Sequence, residues 1–346
     1  MSIKSAISAL STCLLLAACH PVEDFDKGIE GNFDALWTIL DEHYCFFDEK
    51  DIDWKETGEK YRARITPETD GLELFTICSE MLDELKDGHV NLSSTFAVSY
   101  YRKWWTDYPQ NFDLRLIQEH YLEFDYTSGN GGCFYKLLPQ NVGYMRYGSF
   151  TAPVGDTFLD IMLYSFKDSD GLIIDVRDNG GGDISRVENL VSRFIDSTIL
   201  AGSISHKTGP GHSDFSEPFK YYYSPATDHV RWLKPVVVLA NRSTFSAANN
   251  FVAVMKTLPH VLIVGDTTGG GCGMPFSSEL PGGWSVRFSA CPVYGPDGRL
   301  SEHGVDPSPG CRVDMTPEEI ASGRDAILDF AIRILNENAP KPDPAE

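Results

Sequence analysis

One stretch of the sequence, residues 236–249, places a serine where nucleophilic chemistry is possible. The apolar run Val236–Ala240 predicts a buried strand, and the small residues after Ser246 predict the first turn of a helix. At a helix N-terminus, backbone N–H groups lack partners within the helix, and the helix dipole favours negative charge. Ser246 is therefore a candidate nucleophile, although a hydroxyl in this position is also typical of a helix cap.

Three further stretches carry groups that could assist such a serine. A predicted strand at 172–176 leads into three glycines at 180–182, whose backbone amides could hydrogen-bond an oxyanion. His89 follows the predicted end of a helix, and Glu302 lies in a polar loop. Each feature also has a purely structural interpretation: a strand-to-helix turn, a packed histidine and a solvated carboxylate.

The composition is that of an ordinary globular protein. The 346 residues are 42% hydrophobic and 23% charged, which excludes collagen-like, coiled-coil and largely disordered chains. A chain of this length predicts about two domains. The 29 lysines and arginines are outnumbered by 50 aspartates and glutamates, giving a net charge of -21. Because such a surface repels phosphate backbones, we expect no nucleic-acid partner.

The elements that must position the candidate residues change in character along the chain. Apolar residues recur with helical spacing in the N-terminal part, whereas strands and helices alternate later, as in an α/β domain. Short alternating runs between the two parts predict strands. We therefore predict an N-terminal helical domain at 31–92, a short β-rich connection at 93–140, an α/β catalytic domain at 141–335 and a loose tail at 336–346.

Residues 1–18 have the pattern of a targeting segment and not of a folded domain. An apolar stretch too short to span a bilayer, followed by Leu-Ala-Ala-Cys at 16–19, predicts an export signal. The pattern resembles a bacterial lipoprotein signal, which implies cleavage before Cys19 and lipid on its sulfur; a secretory signal with an incidental cysteine is the alternative. We expect residues 19–30 to be a tether. The expected location is the bacterial cell envelope, on the periplasmic face or the cell surface, with the lipid as the only membrane attachment.

Taken together, the candidate stretches closely resemble the carboxyl-terminal processing and tricorn-type serine peptidases, also called tail-specific proteases. The matching segments are Asp87-Gly88-His89, Asp175-Val176-Arg177-Asp178-Asn179-Gly180-Gly181-Gly182, Asn241-Arg242-Ser243-Thr244-Phe245-Ser246-Ala247-Ala248, Gly265-Asp266-Thr267-Thr268-Gly269 and Glu302-His303-Gly304-Val305-Asp306-Pro307. The resemblance extends over residues 31–312. It implies a crotonase/ClpP-like α/β catalytic domain preceded by a small helical domain.

The resemblance also implies a mechanism. Ser246 is the nucleophile of a serine-type peptidase, His89 its general base and Glu302 the group that orients the imidazole. The implied oxyanion hole consists of backbone amides from Ala247 and from Gly180 or Gly181. The reaction passes through an acyl-enzyme without a metal or other cofactor, and its substrate is a peptide or protein tail outside the cytoplasm. We expect activity to rise as His89 loses its proton, with a midpoint near about 6.5 or higher.

The sequence departs from the family pattern at three places. Ser–Lys members carry a lysine where Gly271 stands, which excludes a Ser–Lys dyad. The tricorn pattern has a serine where this chain has Gly88. The interval 93–140 is shorter than the PDZ domain that many relatives insert, so we expect that domain to be absent or reduced to a strand pair. Trp104 and Trp105, within this interval, form either a substrate surface or ordinary packing.

Two other functions fit the same fold. A catalytically silent lipoprotein that binds peptides or hydrophobic ligands would keep the fold without the chemistry, and the missing PDZ domain favours it. A hydrolase of a non-peptide ester or a cell-wall fragment would keep the triad and change only the pocket. Labelling with a serine-reactive fluorophosphonate separates an enzyme from a binding protein.

One disulfide can be predicted from strand register. If 280–283 forms a two-residue hairpin turn, Cys272 and Cys291 face each other across the strands at a distance that a disulfide accepts. An extracytoplasmic location permits such a bond. The spacings contain no Cys-x-x-Cys pair and so predict no zinc ribbon. The other cysteines of the mature fold stay unassigned: Cys45, Cys78, Cys133 and Cys311.

Overall fold

The computed structural model describes residues 25–338. The predicted signal at 1–18, the expected lipid site Cys19, the first part of the tether and the last part of the tail lie outside the described residues. The tether is shorter than predicted, because a helix begins at Ile29, and the tail is shorter because a helix extends to Asn338. No helix of the described chain is long and apolar enough to cross a membrane.

Helices and strands are mixed along the described chain. The helices are α1 Ile29–His43, α2 Trp54–Arg62, α3 Gly71–Asp83, α4 Lys103–Thr106, α5 Leu114–Leu116 with a π-helical turn at Ile117–Tyr121, α6 Asp156–Ser165, α7 Ile184–Val191, α8 Ala247–Met255, α9 Pro317–Ala321 and α10 Ala326–Asn338. The strands are β1 Asn91–Ser93, β2 Val98–Tyr100, β3 Thr127–Ser128, β4 Cys133–Leu138, β5 Val142–Tyr147, β6 Gly171–Asp175, β7 Ile199–Ile204, β8 Phe219–Tyr223, β9 Val236–Ala240, β10 Val261–Gly265, β11 Gly273–Glu279 and β12 Ser285–Tyr294.

The described residues form two compact units. The first unit contains the residues up to Tyr101 with His206–Ser216 and Met274–Cys291, and the second contains Arg102–Ser205, Glu217–Gly273 and the residues from Pro292 onward. The predicted helical domain at 31–92 is therefore incomplete. Later segments join it because β1 pairs antiparallel with the first part of β12, with Leu92 opposite Val286.

In the first unit, three helices pack on one another, and α3 packs on β1. Asp53 and Asp70 accept backbone N–H groups at the starts of α2 and α3, which explains where these helices begin. Two indoles fasten α1 to α2. The Nε1–H of Trp37 donates to the carbonyl of Trp54, and the Nε1–H of Trp54 donates to that of Trp37, both at 3.0 Å. The turn that contains His89 lies between α3 and β1.

The second unit is built on a sheet with the strand order β10-β9-β6-β5-β4-β3. The strands β5, β6, β9 and β10 run parallel, and β4 and β3 extend the sheet antiparallel. Helices α6, α7 and α8 pack on one face, and α10 covers the other. Because both faces are buried, the central strands are apolar throughout, as in Val236–Ala240. The predicted α/β fold class is confirmed.

The connection at 93–140 is not β-rich as predicted, because it also contains α4, α5 and the π-helical turn. Alternating apolar residues in this interval suggest strands. However, Asp113 accepts the N–H groups of Arg115 and Leu116 and so starts a helix. Leu116 and Ile117 are then both buried. Adjacent residues can share a helical face, whereas a strand directs them to opposite sides.

The predicted disulfide between Cys272 and Cys291 is wrong, because both residues are thiols. The turn is longer than predicted: the N–H of Leu280 donates to the carbonyl of Trp284 at 2.8 Å. Farther along the strands, the carbonyl of Cys272 accepts the N–H of Val293 at 2.9 Å. The register is therefore shifted by two residues from the one that would bring the two sulfur atoms together.

Candidate active site

The candidate site is organised by the carboxyl ends of three neighbouring parallel strands. β6 ends at Asp175, β9 at Ala240 and β10 at Gly265. Because these strands pair in parallel, the loops that follow them lie at the same edge of the sheet. In open parallel sheets, this edge is where ligands bind. The predicted glycines lie in the first of these loops and Ser246 ends the second.

Ser246 adopts a backbone conformation that few residues other than glycine adopt. It precedes α8 with φ 57° and ψ -122°. Such a geometry costs about 1–3 kcal/mol and persists only where the surroundings enforce it. The half-buried hydroxyl makes no helix-cap hydrogen bond, so capping does not explain why a serine stands here.

Hydrogen bonds to two other loops hold this conformation. The N–H of Ser246 donates to the carbonyl of Gly270 at 2.9 Å, and the N–H of Phe245 donates to the carbonyl of Asn179 at 3.0 Å. Phe245 and Gly270 also pair as an isolated parallel bridge. The serine turn is thus fixed to the loop after β6 and to the loop after β10.

Gly181 lies directly against the serine turn. A Cβ at this position would be 2.8 Å from the amide nitrogen of Ala247 and 2.8 Å from Cβ of Ser246, and its φ of 95° disfavours any other residue. The N–H of Gly181 donates to Oδ1 of Asn179 at 2.9 Å. In the described part of the chain, the N–H groups of Ala247 and Gly180 have no acceptor. These two amides are therefore available to a ligand oxygen.

A buried ion network anchors the glycine loop. The guanidinium of Arg177 binds Asp175 at 2.6 Å and Asp325 at 2.9 Å, and all three side chains are fully buried. Burial raises the pKa of Asp175, but the adjacent guanidinium more than offsets this and holds the pKa below its usual value. Burial keeps the pKa of Asp325 above its usual value. Asp325 also accepts the N–H of Leu328, so the network joins the loop to the start of α10.

Glu302 is buried, with 7% of its surface exposed, and is not a solvated loop residue. Its Oε2 accepts the N–H of Cys272 at 3.0 Å. Asn249 of α8 holds the Glu302 loop in place: its amide donates to the hydroxyl of Ser301 at 2.8 Å and accepts from the hydroxyl of Thr268 at 2.6 Å. The helix that begins after the candidate nucleophile is therefore hydrogen-bonded to the loop that carries the candidate carboxylate.

The structure has no room for a lysine at Gly271. The glycine has φ 78°, and a Cβ there would lie 2.4 Å from two carbons of the Phe245 ring. Phe245 is buried, with 7% of its surface exposed, so its ring cannot move aside without disturbing the core. A Ser–Lys dyad is excluded on steric grounds.

His89 belongs to the first unit and is buried, with 4% of its surface exposed. Asp87 accepts the backbone N–H of His89 at 2.8 Å and the hydroxyl of Tyr44 at 3.0 Å. Burial lowers the pKa of His89 to about 4, because the loss of hydration, together with the charges of Arg287 and Lys50, outweighs the attraction of Asp87. On this basis we expect the midpoint of activity near 4 rather than near 6.5 or higher.

We therefore expect kcat/KM to stay flat from about pH 8 down to about pH 6 and to fall only as the pH approaches 4. A neutral imidazole accepts a proton, and this form predominates above the pKa. Initial rates from about pH 3.5 to pH 8 test the expectation, and a midpoint at 6.5 or above would contradict it.

The stability of the fold depends on the same histidine. Because the unfolded histidine binds a proton near pH 6.5 and the folded one near 4, the free energy of unfolding decreases between these values as the pH falls. Circular dichroism at each pH is the control.

The second unit brings together the loops of most predicted site residues: Gly180, Gly181, Ser246, Ala247 and Glu302. His89 lies in the first unit. Two residues that support the site were not predicted. Asn249 is a polar residue in an apolar helix and could have been noticed for that reason. Asp325 pairs with Arg177, 148 positions away, so no local pattern could reveal it. Between residues 25 and 338, no side-chain cluster could hold a metal ion.

Comparison with known proteins gives the same family as the motifs. Residues 141–308 match the model of peptidase family S41, and residues 25–83 match that of the tricorn protease C1 domain. A candidate peptidase from Parabacteroides merdae ATCC 43184, of known crystal structure, is 47% identical. The match covers 92% of this chain and 99% of that chain, with a TM-score of 0.85. The chain belongs to peptidase family S41.

More distant relatives share parts of the sequence or the fold. The carboxy-terminal processing protease CtpB of Bacillus subtilis (strain 168) is 24% identical over 175 residues, which is 50% of this chain and 34% of that protein. The chain spans about a third to two fifths of the length of the three carboxy-terminal processing peptidases that it matches. Mature CPAF is 12% identical and shares the fold, with a TM-score of 0.68 over 89% of this chain and 98% of that chain. The predicted family resemblance is confirmed.

Proposed function

We propose that this protein is a serine peptidase that cleaves peptides or exposed protein tails through an acyl-enzyme. The observation that carries the proposal is the turn at Ser246, where a strained serine starts a helix and Gly181 packs against it. The amides of Ala247 and Gly180, which have no acceptor within the described residues, can stabilise negative charge on a carbonyl oxygen. Membership of family S41 supports the same chemistry.

In the proposed reaction, the neutral imidazole of His89 takes the hydroxyl proton of Ser246 as the serine oxygen attacks the substrate carbonyl. The amides of Ala247 and Gly180 hydrogen-bond the tetrahedral oxyanion. The imidazolium then protonates the leaving amine, and the C–N bond breaks. Water, deprotonated by the same histidine, attacks the ester, releases the acid and restores the serine. Glu302 orients the imidazole and balances its transient charge.

Labelling with a fluorophosphonate tests this proposal. The reagent forms a covalent adduct with an activated serine, so we expect a single adduct on the peptide that contains Ser246, and peptide cleavage that stops after labelling. No labelling at neutral and mildly alkaline pH would favour the alternative of a catalytically silent protein that binds peptides or hydrophobic ligands. Labelling without cleavage of any peptide would favour a hydrolase of non-peptide esters or cell-wall fragments.

We also propose that the chain is a lipoprotein of the bacterial cell envelope, attached through Cys19 on the periplasmic face or the cell surface. The support is the sequence Leu-Ala-Ala-Cys after a short apolar stretch. Changing Cys19 to alanine should release the protein from membranes or stall its processing, as membrane fractionation and intact mass would show. Cys13→Ala, inside the predicted signal, should leave both unchanged. A Cys19→Ala variant with unaltered fractionation and processing would disprove the lipid.

A further inference from the structure

Phe245, the residue before the candidate nucleophile, packs against a tryptophan and a glycine. The centroid of its ring lies 4.3 Å from that of Trp104, and the two ring planes differ by 23°. A Cβ on Gly271 would lie 2.4 Å from two carbons of the same ring. Trp104 therefore restricts the movement of the Phe245 ring.

Trp104 is itself fastened to the loops that follow β9 and β10. Its carbonyl accepts the Nε–H of Arg242 at 2.6 Å, and Nη1 of Arg242 donates to the carbonyl of Thr268 at 3.1 Å. Its ring lies against Gly269, where a Cβ would be 2.4 Å from a ring carbon. The guanidinium of Arg242 also lies 4.3 Å from the ring centroid of Tyr108. The segment that carries Trp104 and Tyr108 thus contacts the loop after β9 and the loop after β10.

This packing acts on a strained residue. Ser246 has φ 57°, and a non-glycine residue relaxes from such a conformation unless its neighbours enforce it. Two backbone hydrogen bonds fix Ser246 and Phe245 to adjoining loops, but a hydrogen bond at one end of a residue leaves its side chain free to rotate. The stack on Trp104 removes that freedom at Phe245.

We propose that Trp104 is a positioning residue, which keeps the hydroxyl of Ser246 in its attacking geometry by stacking on Phe245. The inference rests on the proposed function and extends it to the connection at 93–140. Because Trp104 acts through Phe245, its loss should slow attack by the serine and leave substrate affinity unchanged. A small displacement of a reacting group lowers its rate by up to about 100-fold.

The test compares three variants of the full chain. Trp104→Ala should lower kcat about 10- to 100-fold, with KM within about twofold, and should slow fluorophosphonate labelling in parallel. Trp104→Phe keeps an aromatic face and should restore most of the rate. Trp105→Ala is the matched control, since the Trp105 ring meets Trp104 nearly edge-on at 6.3 Å, and its rate should stay near that of the wild type. If Trp104→Ala does not fold, Trp104→Leu replaces it.

If the fluorophosphonate labels the wild type and Trp104→Ala keeps the wild-type kcat, this inference is overturned and the proposed function stands. A raised KM at unchanged kcat would also overturn it, because Trp104 would then belong to a substrate surface. Equal losses in Trp105→Ala, or no recovery in Trp104→Phe, would indicate general destabilisation instead, which thermal unfolding would detect. An unlabelled wild-type protein would remove the proposed function, and this inference with it.

Discussion

Replacing Ser246 by alanine should abolish turnover and leave the fold intact. The substitution removes one oxygen, and without it no acyl-enzyme forms; loss of a serine nucleophile lowers kcat by about 10⁶-fold in a well-studied peptidase. The hydroxyl makes no helix-cap bond, so the usual cost of losing a cap, about 0.5–2 kcal/mol, does not apply. A fluorogenic peptide assay and fluorophosphonate labelling measure the loss, and thermal unfolding measures the stability.

Ser243→Ala provides the matched control. Ser243 lies in the same turn and is also half-buried, so a general disturbance of the turn would affect both variants. We expect Ser243→Ala to keep near wild-type turnover. Wild-type turnover by Ser246→Ala would contradict the serine-peptidase proposal itself.

His89→Ala should lower turnover nearly as much, because a serine hydroxyl without a base is a poor nucleophile at neutral pH. His89 is buried, and alanine would leave a cavity, so His89→Gln is the second variant, since it fills more of the volume and is no base. His303→Ala is the control: His303 is exposed and adjoins Glu302. Full activity in His89→Ala, with loss in His303→Ala, would assign the base to His303.

The size of the combined effect separates a catalytic role of His89 from a structural one. When residues act together in one catalytic step, the losses of activity from replacing them do not add. The double variant Ser246→Ala with His89→Ala should therefore have a turnover little lower than that of Ser246→Ala alone. Glu302→Gln should cost less than either change, because the attacking pair stays in place. Additive losses in the double variant would show that His89 acts elsewhere.

Local patterns were sufficient for the strand, turn and helix around Ser246. The run Val236–Ala240 is apolar because both faces of its sheet are buried, and this signal lies within five consecutive residues. The left-handed conformation of Ser246 could not be predicted in the same way. It depends on hydrogen bonds to Gly270 and from Phe245 to Asn179, and these residues are distant in sequence.

Three properties that the sequence did not reveal share a physical cause, since each is set by distant parts of the chain. The pKa of His89 depends on burial and on Arg287, neither of which the sequence around the histidine reveals. The register at Cys272 depends on how a distant turn closes at Trp284. The packing of Trp104 on Phe245 likewise joins two loops that no periodic pattern connects.

The helix α10 has a consequence for how the protein is made. It covers one face of the sheet, and Asp325 at its start supplies the second carboxylate for Arg177. A ribosome produces α10 after every strand of that sheet, so until then one sheet face lacks its cover and Arg177 has Asp175 as a partner but not Asp325. Arg177 therefore lacks its second carboxylate partner until translation has passed residue 325. The order of synthesis therefore leaves this ion network incomplete until the start of α10 has been made.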